Sequence, residues 1–316
     1  MREREFAVLD VPAKVTAPKS ADASAVIARG AKVEKLAGDF YSISGATVDA
    51  AGKLYFVERR HQRIYGWSPD QGLSIERDNT LDPVNLTVDR SGNLMVLSAD
   101  GPEGTVYSFK PGTPESQVSV IKPTPVASHA GAATVLPVNY WNNGEFKDQL
   151  NLATLQFTTL GEMFARDMAA PKAREYVSLD GSLVLPAFRV FQQGPADYLG
   201  WRFFDPLDTY GFTTAQQGSR VFISNGSEDI TYSGLVGSGG SVTDLKPFTN
   251  GGGESVAVDG KGNVFVANGQ VFVYDRGGRQ IGQIDVPERP LQLIFGGSDR
   301  RTLFILTHHS LYSVRT

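Results

Sequence analysis

Four imidazoles, His61, His129, His308 and His309, are the groups of this 316-residue chain best suited to moving protons near neutral pH. His61 follows Val57-Glu58-Arg59-Arg60 at the exit of one apolar run. His308 follows Thr307 at the exit of another. Either can serve as a general base, and His308 is the first choice. Among the carboxylates, Glu254 is the candidate for binding or catalysis, whereas Glu58 reads as a surface partner of Arg59 or Arg60. A dense cluster, Asn139, Tyr140 and Trp141 followed by Asn142 and Asn143, sets aromatic faces beside amides. That combination suits stacking on a sugar ring and bonding its hydroxyls.

Other chemistries are excluded. The cysteine count is 0, so there is no disulfide framework, thiolate metal site or cysteine nucleophile. No His-x-x-x-His spacing exists, and adjacent residues such as His308 and His309 point to opposite faces of a strand. Gly237-Ser238-Gly239-Gly240 is not a nucleophile elbow, and Gly251-Gly252-Gly253 lacks the lysine of a phosphate loop.

The elements that must position these groups repeat along the chain. Val48-Asp49, Val88-Asp89 and Val258-Asp259 each close an apolar run. Each is followed, three residues after the Asp, by Gly52, Gly92 or Gly262 and a second apolar run. Asp accepts backbone N–H groups and Gly supplies a positive φ, so each unit reads strand, tight turn, strand. A third strand follows in each copy, at 63–67, 105–109 and 270–275. Weaker copies run from 291 to 314, from 210 to 224 and, as a sixth unit, from 176 to 185. Short antiparallel strands in units of about 40 residues are the signature of a propeller blade. The fold class expected is all-β, a six-bladed β-propeller, with Val48, Val88 and Val258 equivalent and buried.

Residues 1–35 read as an N-terminal extension, with a closing strand near Phe6–Leu9 or at the C-terminal Leu311–Val314, and 36–316 as the propeller. The repeat breaks in an irregular insertion at about 123–176. There Thr159 and Glu162 have capping-box spacing, and Leu160, Met163, Phe164 and Met168 share a helical face. A short helical insertion is expected, its 151–176 stretch either covering a blade edge or offering a partner surface. Trp201-Arg202-Phe203-Phe204-Asp205 reads as a core strand.

With 41% hydrophobic and 20% charged residues, the chain can bury a real core, which excludes disorder and a coiled coil. A net charge of −4 argues against a nucleic-acid partner that needs a strongly basic face. No apolar run approaches the roughly 18 residues of a membrane span. The start, Met1-Arg2-Glu3-Arg4-Glu5-Phe6, has no apolar signal core. It reads as a cytosolic start or as a chain trimmed of a leader or upstream domain, so cytoplasmic and periplasmic or extracellular locations both stay open.

The blades Val-Asp-x-x-Gly-Asn-Val/Leu resemble the senescence-marker-protein/gluconolactonase (regucalcin-like) family of six-bladed propellers. The similarity is greatest at 253–269, 290–297 and 303–307. It extends over roughly 38–110 and 205–316, while the middle third departs from it. The resemblance implies one divalent cation, calcium first, at the top of the central tunnel, and hydrolysis of sugar lactones or related esters. Carried over by position, Ser44 stands where the family has a metal-binding Glu. Asn85 is one place from the family's amide, Tyr210 replaces the middle Asn, and Glu254 keeps a carboxylate. The implied metal ligands are therefore Glu254 and Asn85, a thin set for a hard cation that wants six or more oxygens.

By the repeat, Ser44, Asn85, Tyr210 and Glu254 open inner strands at the tunnel mouth, where His61 and His308 reach in from strand exits. Three functions stay open. The first is a lactonase-like hydrolase on a small-molecule carbohydrate or lactone, with His308, Glu254 and His61 as catalytic groups. Ser44, Asn85, Tyr210, Asn139, Tyr140 and Trp141 would bind its substrate. The second is a non-catalytic carbohydrate- or protein-binding propeller. The third is a carbohydrate lyase or another metal-assisted reaction on the same fold.

Overall fold

In a computed structural model, the described residues are 26–78, 81–98, 105–122, 124–125, 134–135, 174–181, 183–187, 191–196, 202–206, 209–212, 220–225, 229–236 and 242–316. The repeat turns form as their chemistry requires. Asp49, Asp89 and Asp259 each accept, through Oδ1, the backbone N–H four residues on, at 2.9, 2.8 and 2.8 Å. Gly52, Gly92 and Gly262 hold φ values of +90°, +81° and +82°, where a side chain is strained. Asn93 and Asn263 add a second bond to the Asp carboxylate, at 2.8 Å in both copies.

Each turn joins the two inner strands of a blade. A closing strand, β1 (Glu34–Ala37), precedes the first blade: β2 (Ile43–Val48), β3 (Leu54–Glu58), β4 (Arg63–Ser68) and β5 (Gly72–Asp78). The second blade is β6 (Pro83–Val88), β7 (Leu94–Ser98), β8 (Thr105–Phe109) and β9 (Ser119–Ile121). The middle third differs. β10 (Thr124–Pro125), β11 (Thr134–Val135), β12 (Arg174–Val177) and β13 (Leu183–Ala187) form a sheet of order β10-β12-β13-β11, in which β11 runs parallel to β13. β14 (Phe191–Ala196) and β15 (Arg202–Pro206) make a separate hairpin. The third blade is β16 (Thr209–Phe212), β17 (Arg220–Asn225), β18 (Ile230–Val236) and β19 (Val242–Asn250). The fourth is β20 (Ser255–Val258), β21 (Val264–Asn268), β22 (Gln270–Tyr274) and β23 (Gln280–Ile284). The closing blade takes β24 (Gln292–Gly296), β25 (Thr302–Leu306) and β26 (Leu311–Arg315), with β1 as its outermost strand.

The protein is thus an all-β propeller, with a correction to the blade count. The described residues form five four-stranded antiparallel blades, not six. The unit expected at 176–185 exists as the β12–β13 hairpin. It is flanked by strands of two residues each, one of them parallel, so it does not repeat the blade. The helix expected at 159–168 and the strand at Phe6–Leu9 lie outside the described residues. Among the described residues the helical content is one 3-10 turn, Glu115–Gln117, and no helix is long and apolar enough to cross a membrane.

Inner strands of successive blades pack in the order β16, β20, β24, β2, β6, so the last blade lies beside the first. Their apolar faces meet in seams. Phe304, Leu306 and Leu311 of the closing blade pack with Ile43, Leu54 and Phe56 of the first. There Trp67 meets Phe304 edge-on at 5.4 Å. Each such buried side chain contributes about 1.5–3 kcal/mol. Val48, Val88 and Val258 each end an inner strand, as the repeat requires. Val48 is buried, and the other two are half-buried. The pairing of β1 with β26 closes the ring at the C-terminal strand and covers an otherwise exposed sheet edge.

Candidate functional site

Because strands alternate in direction, the loops that open inner strands and the turns between second and third strands share one face, opposite the Asp-Gly turns. That upper face carries Glu58, His61, Glu254, Glu288, His308 and His309. Three inner strands have a bulge near this end. The extra residue is Gly45 in β2, Val84 in β6 and Tyr210 in β16. A bulge bends the strand and re-aims the side chains beside it, so the mouth is shaped by breaks in register.

Glu58 ends β3 opposite Ile43 and is 1% exposed, which corrects its reading as a surface ion-pair partner. Its carboxylate accepts the backbone N–H groups of Ser42 at 3.3 Å, Arg60 at 3.2 Å and His61 at 3.1 Å. The His61 ring also meets it, Nδ1 to Oε2, at 2.7 Å. A buried carboxylate that already accepts three N–H groups acts here as acceptor, so the neutral tautomer of His61 that fits carries its proton on Nδ1 and not on Nε2. The side chain of His61 is 47% exposed, so Nε2 is within reach of a ligand. The exposed ring of Tyr41 meets His61 edge-on at 5.7 Å and carries the Arg60 guanidinium at 4.0 Å over its face. The spacing Glu-x-x-His across a four-residue turn was visible in the sequence, but the burial of Glu58 comes from Ser42 and Ile43 on the neighbouring strand.

Strand register identifies the counterpart of His61 in the closing blade. Glu58 pairs with Arg63, and Leu306 pairs with Leu311, each enclosing four residues. The third residue of the turn is His61 in one case and His309 in the other. His308 sits one place earlier, exposed, in a turn rather than a strand, with its ring 6.0 Å from that of His309. Nδ1 of His309 is 2.8 Å from the Phe40 carbonyl, which can only accept, so His309 also carries its proton on Nδ1.

Glu254 stands just before β20, held by its N–H donating to the Ala267 carbonyl at 3.0 Å. The residue before it must be glycine, since a Cβ at Gly253 would lie 1.8 Å from that same carbonyl oxygen. Oε1 of Glu254 pairs with Nη2 of Arg289, and Oε2 is buried with no hydrogen-bond partner among the described residues. Asn85 turns its Oδ1 onto the N–H of Leu86 at 2.8 Å and lies against Gly45 of the neighbouring blade. Ser44 is buried in β2. Tyr210 is placed by its backbone alone. Asn139, Tyr140 and Trp141 lie outside the described residues.

Glu254 and Asn85, the candidate cation ligands, do not together fit a hard cation. One Glu254 oxygen is engaged by an arginine, and the Asn85 oxygen is engaged by backbone. No group of three His, Asp or Glu side chains among the described residues is disposed to hold a metal ion. Such a cation asks for six or more oxygens.

Sequence reading missed a third constellation. Glu288, in the loop before β24, accepts hydroxyls from Ser310 at 2.6 Å, Thr307 at 2.6 Å and Tyr312 at 2.9 Å. Partial burial pushes its carboxyl up. The three hydroxyls and the charge of Lys35 outweigh that and hold it below its ordinary value. An open cleft of about 320 Å³ lies beside it, bordered also by Lys35, Asp39, Tyr41 and His309.

With this geometry in view, residues 216–309 match the family model described as SMP-30/Gluconolactonase/LRE-like region. The chain carries an SMP-30/gluconolactonase/LRE-like region. The resemblance read in the later blades is confirmed over this stretch. The matched residues include Glu254, Glu288 and His308 but not Glu58 or His61. No curated protein matches the chain by sequence. Among solved structures, a gluconolactonase from Xanthomonas campestris superposes with a TM-score of 0.60 at 15% identity, covering 95% of each chain. The calcium-binding protein regucalcin from Agrobacterium tumefaciens gives 0.50 at 11% identity, covering 88% of this chain and 93% of that one. Virginiamycin B lyase from Staphylococcus aureus gives 0.53 at 10% identity, covering 90% and 98%. At these identities the likenesses establish the fold.

Proposed function

We propose that the protein hydrolyses a sugar lactone or related carbohydrate ester at its upper face, with His61 as general base. The observation that carries this reading is the bond between Nδ1 of the His61 imidazole and the buried carboxylate of Glu58, on a ring that is about half exposed. The SMP-30/gluconolactonase/LRE-like match and the superposition on a gluconolactonase support the substrate class.

In the proposed reaction, Nε2 of His61 takes a proton from water as the water oxygen bonds to the lactone carbonyl carbon. The carbonyl π electrons pass to its oxygen. Glu58 stabilises the imidazolium that forms, and the guanidinium of Arg60, on the same turn, is available to the developing negative charge. Collapse of the tetrahedral centre breaks the bond to the ring oxygen. His61 returns its proton to that oxygen, giving the open hydroxy acid. No step is routed through a metal, because Glu254 and Asn85 do not fit one. His61 replaces His308 as the first candidate because it has a carboxylate partner.

The pairing of Glu254 with Arg289, with Ser44 in place of a carboxylate, favours a second reading, a binding propeller without catalysis. A panel of aldonolactones separates the two. The hydrolase reading expects opening faster than buffer and a loss of about 100- to 10,000-fold in His61→Asn. No lactone opened faster than buffer, with or without added calcium, would leave the binding reading.

A further inference from the structure

The ring closes where β1 meets β26, and the cleft beside Glu288 lies on that seam. Three separate pieces of chain border it: the strand and loop from Lys35 to Tyr41, the turn holding His309, and the loop holding Glu288. Its volume, about 320 Å³, is at the lower end of small-molecule sites.

The lining is mixed in a way that selects a ligand. Lys35 offers an ammonium. Asp39 and Glu288 offer carboxylates, and His309 offers its Nε2, since Nδ1 is engaged by the Phe40 carbonyl. Glu288 Oε2 receives one hydroxyl, from Thr307, among the described donors and keeps a lone pair for another. Two carboxylates against one ammonium disfavour an anion, and the ammonium disfavours a cation. Tyr41 is 52% exposed, and the ring face that Arg60 does not cover can take an apolar ligand face. A neutral molecule whose hydroxyls both donate and accept satisfies every one of these groups.

We infer that this seam cleft binds a neutral polyhydroxylated molecule of monosaccharide size, beside the Glu58–His61 site, with which it shares Tyr41 as a wall. A ligand there touches β1, the closing turn and the Glu288 loop together, so it stabilises ring closure. The inference does not depend on the hydrolase reading.

The test is thermal unfolding of the full chain titrated with D-glucose, D-galactose and D-mannose, for the parent, Lys35→Met, Tyr41→Ala and Glu58→Gln. Lys35 and Tyr41 are exposed, so their variants should fold. Sugars also stabilise proteins by exclusion, but that rise does not saturate and is the same in every variant. The expected result is a saturable rise for at least one sugar in the parent, as for any ligand that binds only the folded state. Lys35→Met and Tyr41→Ala should weaken it by about tenfold, the scale of one charged hydrogen bond or one stacking face. Glu58→Gln should keep it. A linear rise identical in parent and variants overturns the inference. So does a saturable rise lost in Glu58→Gln and kept in Lys35→Met, which would place the sugar at the hydrolytic site.

Discussion

Two turns of equal length occupy the same place in neighbouring blades, and each presents an imidazole at its third residue. In the first blade the strand ends in Glu58, and that carboxylate collects three backbone N–H groups and the His61 ring. In the closing blade the strand ends in Leu306. The next residue, Thr307, gives its hydroxyl to Glu288, and the His309 ring is held by a backbone carbonyl. The backbone therefore delivers an imidazole to the same spot twice. What it can do there depends on the group that receives its Nδ1 proton. A carboxylate stabilises the imidazolium formed during base catalysis, and a neutral carbonyl does so far less. In the proposed reaction the first turn would transfer the proton, whereas the second holds its imidazole against a backbone carbonyl.

The sharpest way to break this contrast is to remove the carboxylate without changing its shape. Glu58→Gln should slow lactone opening by about 100-fold or more, measured as kcat. His309→Gln should cost less than about tenfold, because its ring does no proton transfer in the proposed reaction. Equal losses in the two variants would erase the distinction between the turns.

A smaller effect should appear in stability. Glu58→Ala strips the acceptor from the N–H groups of Ser42, Arg60 and His61, and each partly buried donor left unpaired costs about 1–3 kcal/mol. Urea titration should show a fall of at least that size. An unchanged midpoint would mean that water replaces the carboxylate freely.

The closing turn predicts an acid-dependent term. Glu288 is held below its ordinary 4.5 in the folded protein, so the unfolded chain takes up its proton first as pH falls. Its contribution is fully present above about 4.5 and is lost as pH drops through the lower folded value. The stability difference between parent and Glu288→Gln should therefore shrink on acidification below that point. A difference that stays constant from neutral pH to acid would show that the three hydroxyls do not favour the ionised form.

The smallest effect belongs to the repeat turns. At Gly92 nothing lies within 4 Å of where a Cβ would stand, so Gly92→Ala meets only the cost of φ near +81°. That cost is about 1–2 kcal/mol in the melting equilibrium. A loss well above it would mean that the turn does more than reverse the chain.

These same turns explain what was legible in the sequence. Asp49, Asp89 and Asp259 make their bonds within four residues, so strand, turn and strand can be read from neighbours along the chain. The extended third strands follow by period two. Among the described residues 176–185 does not repeat the blade, and the sequence does not display this because a strand pair looks alike whether its flanking partners are antiparallel or parallel. Only contacts distant in sequence, such as that of Thr134 with Leu183, decide the matter. The site followed the same division. Glu58 and His61 are three residues apart, yet Glu58 was read as exposed because its burial depends on Ser42 and Ile43. Glu288 went unnoticed because its hydroxyl partners begin 19 residues later.

In the proposed reaction Glu58 fixes which nitrogen of the His61 ring carries the proton, and nitrogen-15 NMR of the histidine side chains reads this directly. At a pH where the rings are neutral, His61 should carry its proton on Nδ1 with Nε2 bare, and Glu58→Gln should change the His61 signals while leaving those of His309 in place. A His61 ring protonated on Nε2, or one indifferent to Glu58→Gln, would contradict it.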